Sequence, residues 1–220
     1  MTRTLRLIAP LILLVSLVGA TAPAHGQSPF PFFDVGVRGG SAQATFYGND
    51  VKINDWRSGF TGGVFARYEV NSFFSVQPEL LYSVRGSKNL DYSEIDGPRD
   101  VRIRKDILEV PVLAKVGVPL SQIYGRLPST IIPRGYVGPA VGIVVNTDSD
   151  GQDASDTFSS FDFGGVVGGE IAYAIDQGPL SEIAVDGRYN IGFANLGDTD
   201  TFEAVHSMSF VGSLSLLFSL

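Results

Sequence analysis

The sequence predicts an all-β protein, an eight-stranded antiparallel up-and-down transmembrane β-barrel, and three observations carry that expectation. The first is alternation with period two, clearest in FFSVQPELLYSVRGSK and ILEVPVLAKVGVPL. There Phe74, Val76, Leu80, Tyr82 and Val84, then Leu108, Val110, Val112, Ala114, Val116 and Val118, share one parity. Glu79, Arg85, Lys105, Glu109 and Lys115 fall on the other, and side chains alternate across a strand. Long apolar faces without polar interruption, backed by charges, suit lipid outside and a polar lumen inside. The second is that beyond the N-terminal run no apolar stretch approaches the ~20 residues of a spanning helix. A closed barrel is then the way for such a chain to cross a bilayer. The third is that connections alternate between short and long, as in outer-membrane barrels with short periplasmic turns and long external loops.

The N-terminus is read apart from the barrel. Arg3 and Arg6 precede an apolar run from Leu7 to Val18, and ATAPAHGQ follows. Charged, hydrophobic and small-residue regions in that order make residues 1–26 a secretory signal peptide, with Gln27 first in the mature barrel domain, 27–220. An uncleaved anchor is the rival reading, and the run is short for it. Without the signal, 14 basic side chains face 23 acidic ones, a net charge of −9. Such a chain lacks the electrostatic footprint of a nucleic-acid binder. The absence of cysteine excludes disulfides and thiolate chemistry.

Strand one begins near Phe33, with Val35 and Val37 opposed to Asp34 and Arg38; Gly39-Gly40 reads as a bulge that reverses the phase, turning Ala42, Ala44 and Phe46 outward. Strand two, Ser58 to Val70, sets Phe60, Val64, Ala66, Tyr68 and Val70 against Thr61, Arg67 and Glu69. Val70-Asn71-Ser72-Phe73 is a tight turn into strands three and four, which an acidic connection of about seventeen residues joins. After PLSQIYGRLPSTIIP, strand five runs from Arg134 to Asn146 and strand six from Phe158 to Ile175, with Asp162 and Glu170 inward. Strand seven, Ser181 to Asn195, opposes Ile183, Val185, Tyr189 and Ile191 to Glu182, Asp186 and Arg188. In strand eight Met208, Phe210, Leu214, Leu216 and Phe218 alternate with serines. Aromatics near the strand ends, among them Tyr68, Phe74, Tyr173 and Phe218, read as interfacial girdles. A soluble lipocalin-like barrel is the competing architecture, and the signal peptide and charged inner face weigh against it.

Five stretches in order, SVQPELLYSVRGSK, ILEVPVLAKVGVP, YVGPAVGIVV, FDFGGVVGGEIAY and DGRYNIGFANL, resemble the short PorT-type outer-membrane β-barrel proteins. The resemblance spans residues 33 to 220 and implies an eight-stranded antiparallel barrel in a Gram-negative outer membrane. Members of that family mostly lack a defined activity, and one branch is linked to secretion across the membrane. The chain departs from the common aromatic ending of such barrels: Leu220 is last, with Phe218 two before it.

By parity the lumen collects Asp34, Glu69, Glu79, Glu109, Asp162, Glu170, Glu182 and Asp186 with Arg38, Arg67, Arg85, Lys105, Lys115 and Arg188. An unpaired buried charge costs several kcal/mol, so these are expected to pair. Side chains about fill an eight-stranded barrel, which makes the network a plug; a relay or narrow ion path is the alternative. For catalysis, His206 is the one histidine outside the signal, and Ser207 and Ser209 project to the opposite face from it, a poor geometry for a nucleophile and its base. Asp198 and Asp200 are the acids nearest to it in sequence. Asp148, Asp150 and Asp153, around a Gly turn, partly match a calcium loop but lack its distal bidentate Glu; a solvated acidic loop is the simpler expectation, and no other cofactor is expected. The functional expectation is a structural or interaction barrel contacting outer-membrane lipid and other envelope proteins. A transport component is the alternative, and a lipid-modifying enzyme the third reading.

Overall fold

The computed structural model describes residues 33–47, 55–90, 101–149, 152–153, 161–175, 178–193 and 206–219. The alternating segments form β1 (Phe33–Tyr47), β2 (Asp55–Glu69), β3 (Phe74–Leu90), β4 (Val101–Gly117), β5 (Ile131–Ser149), β7 (Phe161–Ala174), β8 (Leu180–Gly192) and β9 (His206–Ser219). A one-turn helix, α1 (Leu120–Ile123), lies between β4 and β5, and β6 (Gln152–Asp153) extends only the end of β5.

All pairings are antiparallel. The order β4-β3-β2-β1-β9-β8-β7-β5 is closed by pairing of β4 with β5, so eight strands form an up-and-down barrel without an open edge. Following the register once around from Val35 through Ala66, Pro78, Val112, Pro139, Gly165, Ile191 and Met208 returns to β1 at Thr45, ten residues along. A stagger of that size over eight strands sets a strand tilt of about 40°.

Burial follows the alternation. Leu80, Tyr82, Leu108, Val112, Val116, Val137, Val167, Ile171, Val185, Phe210 and Leu214 are exposed on the outer face, while Arg67, Gln77, Lys105, Lys115 and Ser209 are buried on the inner one. Charge inside and hydrocarbon outside invert the pattern of a lipocalin-like barrel. The inner face is not wholly polar: Leu81, Ile107, Leu113, Val166, Val211 and Leu217 are also buried there. On the outer face Gly135, Gly169, Gly187 and Gly212 are register partners in succession across β5, β7, β8 and β9, forming a row of bare backbone.

Two tight turns, after β2 and before β8, sit at one end, together with the longer β4–β5 connection. In the turn after β2, Asn71 Oδ1 accepts from the Phe73 and Phe74 amides at 3.0 and 2.9 Å, an Asx turn that Asn favours. Near β8, Gly178 takes φ of 85°, a conformation that glycine adopts without a Cβ clash.

Several expectations need correction. There is no bulge at Gly39-Gly40: β1 pairs without interruption from Phe33↔Tyr68 to Ala44↔Arg57, and Ala42 and Ala44 are buried inside. Small alanines carry almost no parity signal, since either face accepts them. The β3 and β4 strands reach Leu90 and Val101, further into the acidic connection than its composition suggests. Pairing begins at Ile131 in β5 rather than at Arg134. The expected strand residues 158–160 and 194–195 lie outside the described residues.

Candidate functional site

The lumen holds the chemistry, because alternation drives ionisable side chains from every strand toward one axis. The described inner charges gather in three levels. Nearest the short turns, Arg67 of β2 grips Glu182 of β8 with bonds of 3.0 and 2.9 Å, and Lys115 Nζ lies 2.6 Å from Glu170 Oε2. Arg134 bridges both acids, 3.0 Å to Glu170 and 2.7 Å to Glu182.

The middle level is built on Glu79 and Asp186. Arg38 and Arg188 each reach Glu79 at 2.8 Å. Both also face Asp186, at 3.5 and 3.2 Å. Tyr136 and Ser213 donate to the same Asp186 carboxylate, which is therefore held from four strands. The Tyr136 ring also lies under two cations, Lys115 Nζ at 5.0 Å and the Arg188 guanidinium at 5.6 Å. Gln77 joins the levels, accepting from Arg67 and donating to Glu79 at 2.7 Å.

Toward the long loops, Arg85 pairs with Glu109 at 2.6 Å, Ser83 donates to the same acid, and Thr61 bonds Ser83. Lys105 and Asp162 are buried at this end, close enough to act on each other electrostatically. Between the middle and outer levels lies a void bordered by Arg38, Leu81, Glu109, Val166, Arg188 and Ser213. Measured for the centre of a water-sized sphere it is about 10 Å³, room for about one water molecule.

Of the fourteen expected lumen residues, Arg38, Arg67, Glu79, Arg85, Lys105, Glu109, Lys115, Asp162, Glu170, Glu182, Asp186 and Arg188 are buried on the inner face. Asp34 is half-buried at the inner mouth, in range of the Arg67 and Glu182 charges. Glu69 does not join them: it is the last residue of β2 and is exposed, because the lumen ends before the strand does. Arg134 was not anticipated as an inner charge. Its parity with Tyr136 carried the signal, since the expected strand five already began at Arg134.

For the calcium expectation, Asp148 and Asp153 are register partners in the β5–β6 ribbon, and Asp150 lies outside the described residues. Among the described residues no cluster of three or more His, Cys, Asp or Glu side chains could hold a metal ion. For catalysis, Ser207 and Ser209 are buried inside, His206 opens β9 opposite Tyr47, and Asp198 and Asp200 lie outside the described residues.

The fold is similar to solved outer-membrane barrels at low sequence identity. Neisserial surface protein A is 17% identical over 84% of this chain and 96% of its own, with a TM-score of 0.47. OprG from Pseudomonas aeruginosa is 16% identical over 84% and 94%, TM-score 0.48. The attachment invasion locus protein Ail of Yersinia pestis is 16% identical over 84% and 98%, TM-score 0.45. No curated protein matches the chain. Residues 26–198 match the family described as outer membrane protein beta-barrel domain, a span that takes in β1 to β8 and the inner charges they carry. The chain belongs to that family and is an outer-membrane β-barrel protein.

Proposed function

We propose that this protein is a non-catalytic structural or interaction barrel whose lumen is a plug and whose acidic outer loops meet solutes, surface polymer or a partner protein of the envelope. The observation that carries this is the density of ion pairing across the lumen, with a void between levels that fits about one water. Hydrated ions need a continuous aqueous path, and guanidinium-carboxylate pairs whose side chains are 10% exposed or less at the inner and middle levels support a closed lumen. The outer apolar band is the lipid-contacting surface. Residues 1–26 act as a cleaved signal, and the five motifs support reading the chain as one of the PorT-type barrels within its family. Calcium at Asp148, Asp150 and Asp153 is not part of this function.

Purified barrel in planar lipid bilayers tests the plug. The expected result is no ohmic step; a reproducible ohmic pore would make the protein a transport component instead. Deacylation of lipid A or phospholipid that disappears in His206→Ala would make it an enzyme. Mass spectrometry of the mature protein is expected to place its first residue at Gln27.

A further inference from the structure

The connection between β4 and β5, residues 118–130, is uncommonly apolar for a segment at the end of a barrel. In its sequence Leu120, Ile123, Tyr124 and Leu127 recur at i, i+3, i+4 and i+7, the spacing of an apolar helical stripe. The backbone is helical only over α1, Leu120–Ile123: Tyr124 donates to the Leu120 carbonyl at 2.8 Å but is itself extended, with φ of −137°, and Leu127 donates to the Tyr124 carbonyl at 2.9 Å in a turn beyond the helix. The apolar side chains of the segment are largely open all the same: Ile123 is 51% exposed, Tyr124 68% and Leu127 41%.

Two facts bear on what covers it. The segment follows β4 directly in the chain, and the outer face of β4 is exposed and apolar through Val112 and Val116, so the segment begins where that band ends. Residues 118–130 also carry one charge, the exposed Arg126, and no acid, whereas three of the four connections at the other end are acidic. A cation flanked by aliphatic and aromatic side chains matches the boundary of a phospholipid leaflet, where phosphate lies above acyl chain.

We infer that the β4–β5 connection is seated in the headgroup region of the periplasmic leaflet, with Ile123, Tyr124 and Leu127 below the phosphates and Arg126 at their level. It anchors the inner rim of the barrel to phospholipid. The inference rests on the outer band facing lipid, so the experiment reads both. Because the chain has no cysteine, Tyr124→Cys and Val116→Cys can each carry a single nitroxide in vesicles of phosphatidylethanolamine and phosphatidylglycerol. Collision with oxygen, which partitions into lipid, is compared with collision with a water-soluble nickel complex. At position 124 the oxygen-to-nickel ratio is expected to be several-fold above that of free label and below that at 116, and to fall when Arg126→Glu is added. A label at 124 that meets nickel as freely as in water, while the label at 116 remains in lipid, overturns the inference alone. Screening from both reagents at 124 also overturns it, in favour of a second copy of the chain. A label at 116 that reads as aqueous removes the lipid-facing band itself.

Discussion

Arg67 and Glu182 are joined across the lumen by two hydrogen bonds of 3.0 and 2.9 Å although 115 residues separate them in the chain. Their strands are not neighbours, since β1 and β9 lie between β2 and β8. The pair therefore braces the interior from wall to wall, a restraint that the backbone ladder cannot supply. Truncating either residue removes a bidentate contact but not every partner, since Glu182 keeps Arg134 and Arg67 keeps Glu170, so the cost is expected to fall below the ~3–5 kcal/mol of a buried charge left wholly unpaired. A double-mutant cycle with Arg67→Ala and Glu182→Ala, read as urea midpoints in lipid vesicles, is expected to give a double variant less destabilised than the sum of the singles. Strict additivity would mean that the two residues do not interact.

Tyr136 is a sharper probe because one atom can be removed without opening space. Tyr136→Phe keeps the ring under Lys115 and Arg188 but takes a hydrogen-bond donor from the Asp186 carboxylate. The expected loss is ~1–3 kcal/mol, seen as a lower urea midpoint with an unchanged far-UV circular dichroism spectrum. No shift would mean that water replaces the hydroxyl.

Glycines in this barrel divide by what stands beside them. A Cβ on Gly36 would collide with Phe65 Cζ and lie 2.7 Å from the Leu216 carbonyl oxygen, whereas a Cβ on Gly212 meets nothing within 4 Å. Gly36→Ala is expected to destabilise the barrel by ~1–3 kcal/mol through overpacking. Gly212→Ala is expected to be neutral or to stabilise by ~0.5–1 kcal/mol. Thermal unfolding followed by gel mobility compares them, and equal effects would refute the distinction.

Calcium gives a prediction of constancy. On the reading of Asp148, Asp150 and Asp153 as a plain acidic loop, the unfolding temperature is expected to be the same in calcium and in chelator. A rise in calcium that disappears in Asp150→Asn would assign the loop as a calcium site.

Strand number, outward face and most of the inner charges were legible in the sequence because each rests on a period-two signal that tertiary context reinforces. Val112 against Lys115, or Val185 against Asp186, announces its face unaided. Where side chains are small the signal disappears, as with Ala42 and Ala44, whose burial inside only the register with β2 and β9 reveals. Buried Leu81, Leu113 and Val166 were missed for a different reason. A lumen this narrow needs apolar volume between its ionic levels, and polarity alone does not report volume. Parity could list Arg38, Glu79, Asp186 and Arg188 as inward, but partner choice depends on axial stagger, which follows from the ten-residue offset of the closed register.

The pairing of β1 with β9 has a consequence for biogenesis. Whatever order the hairpins form in, Val35 and Val37 have no neighbour on one side until Leu216 and Phe218 arrive. Until then both terminal ribbons present unpaired amides and carbonyls, the condition under which chains aggregate edge to edge. That exposure ends only when the fourteen residues of β9 zip onto the fifteen of β1, the step that closes the barrel.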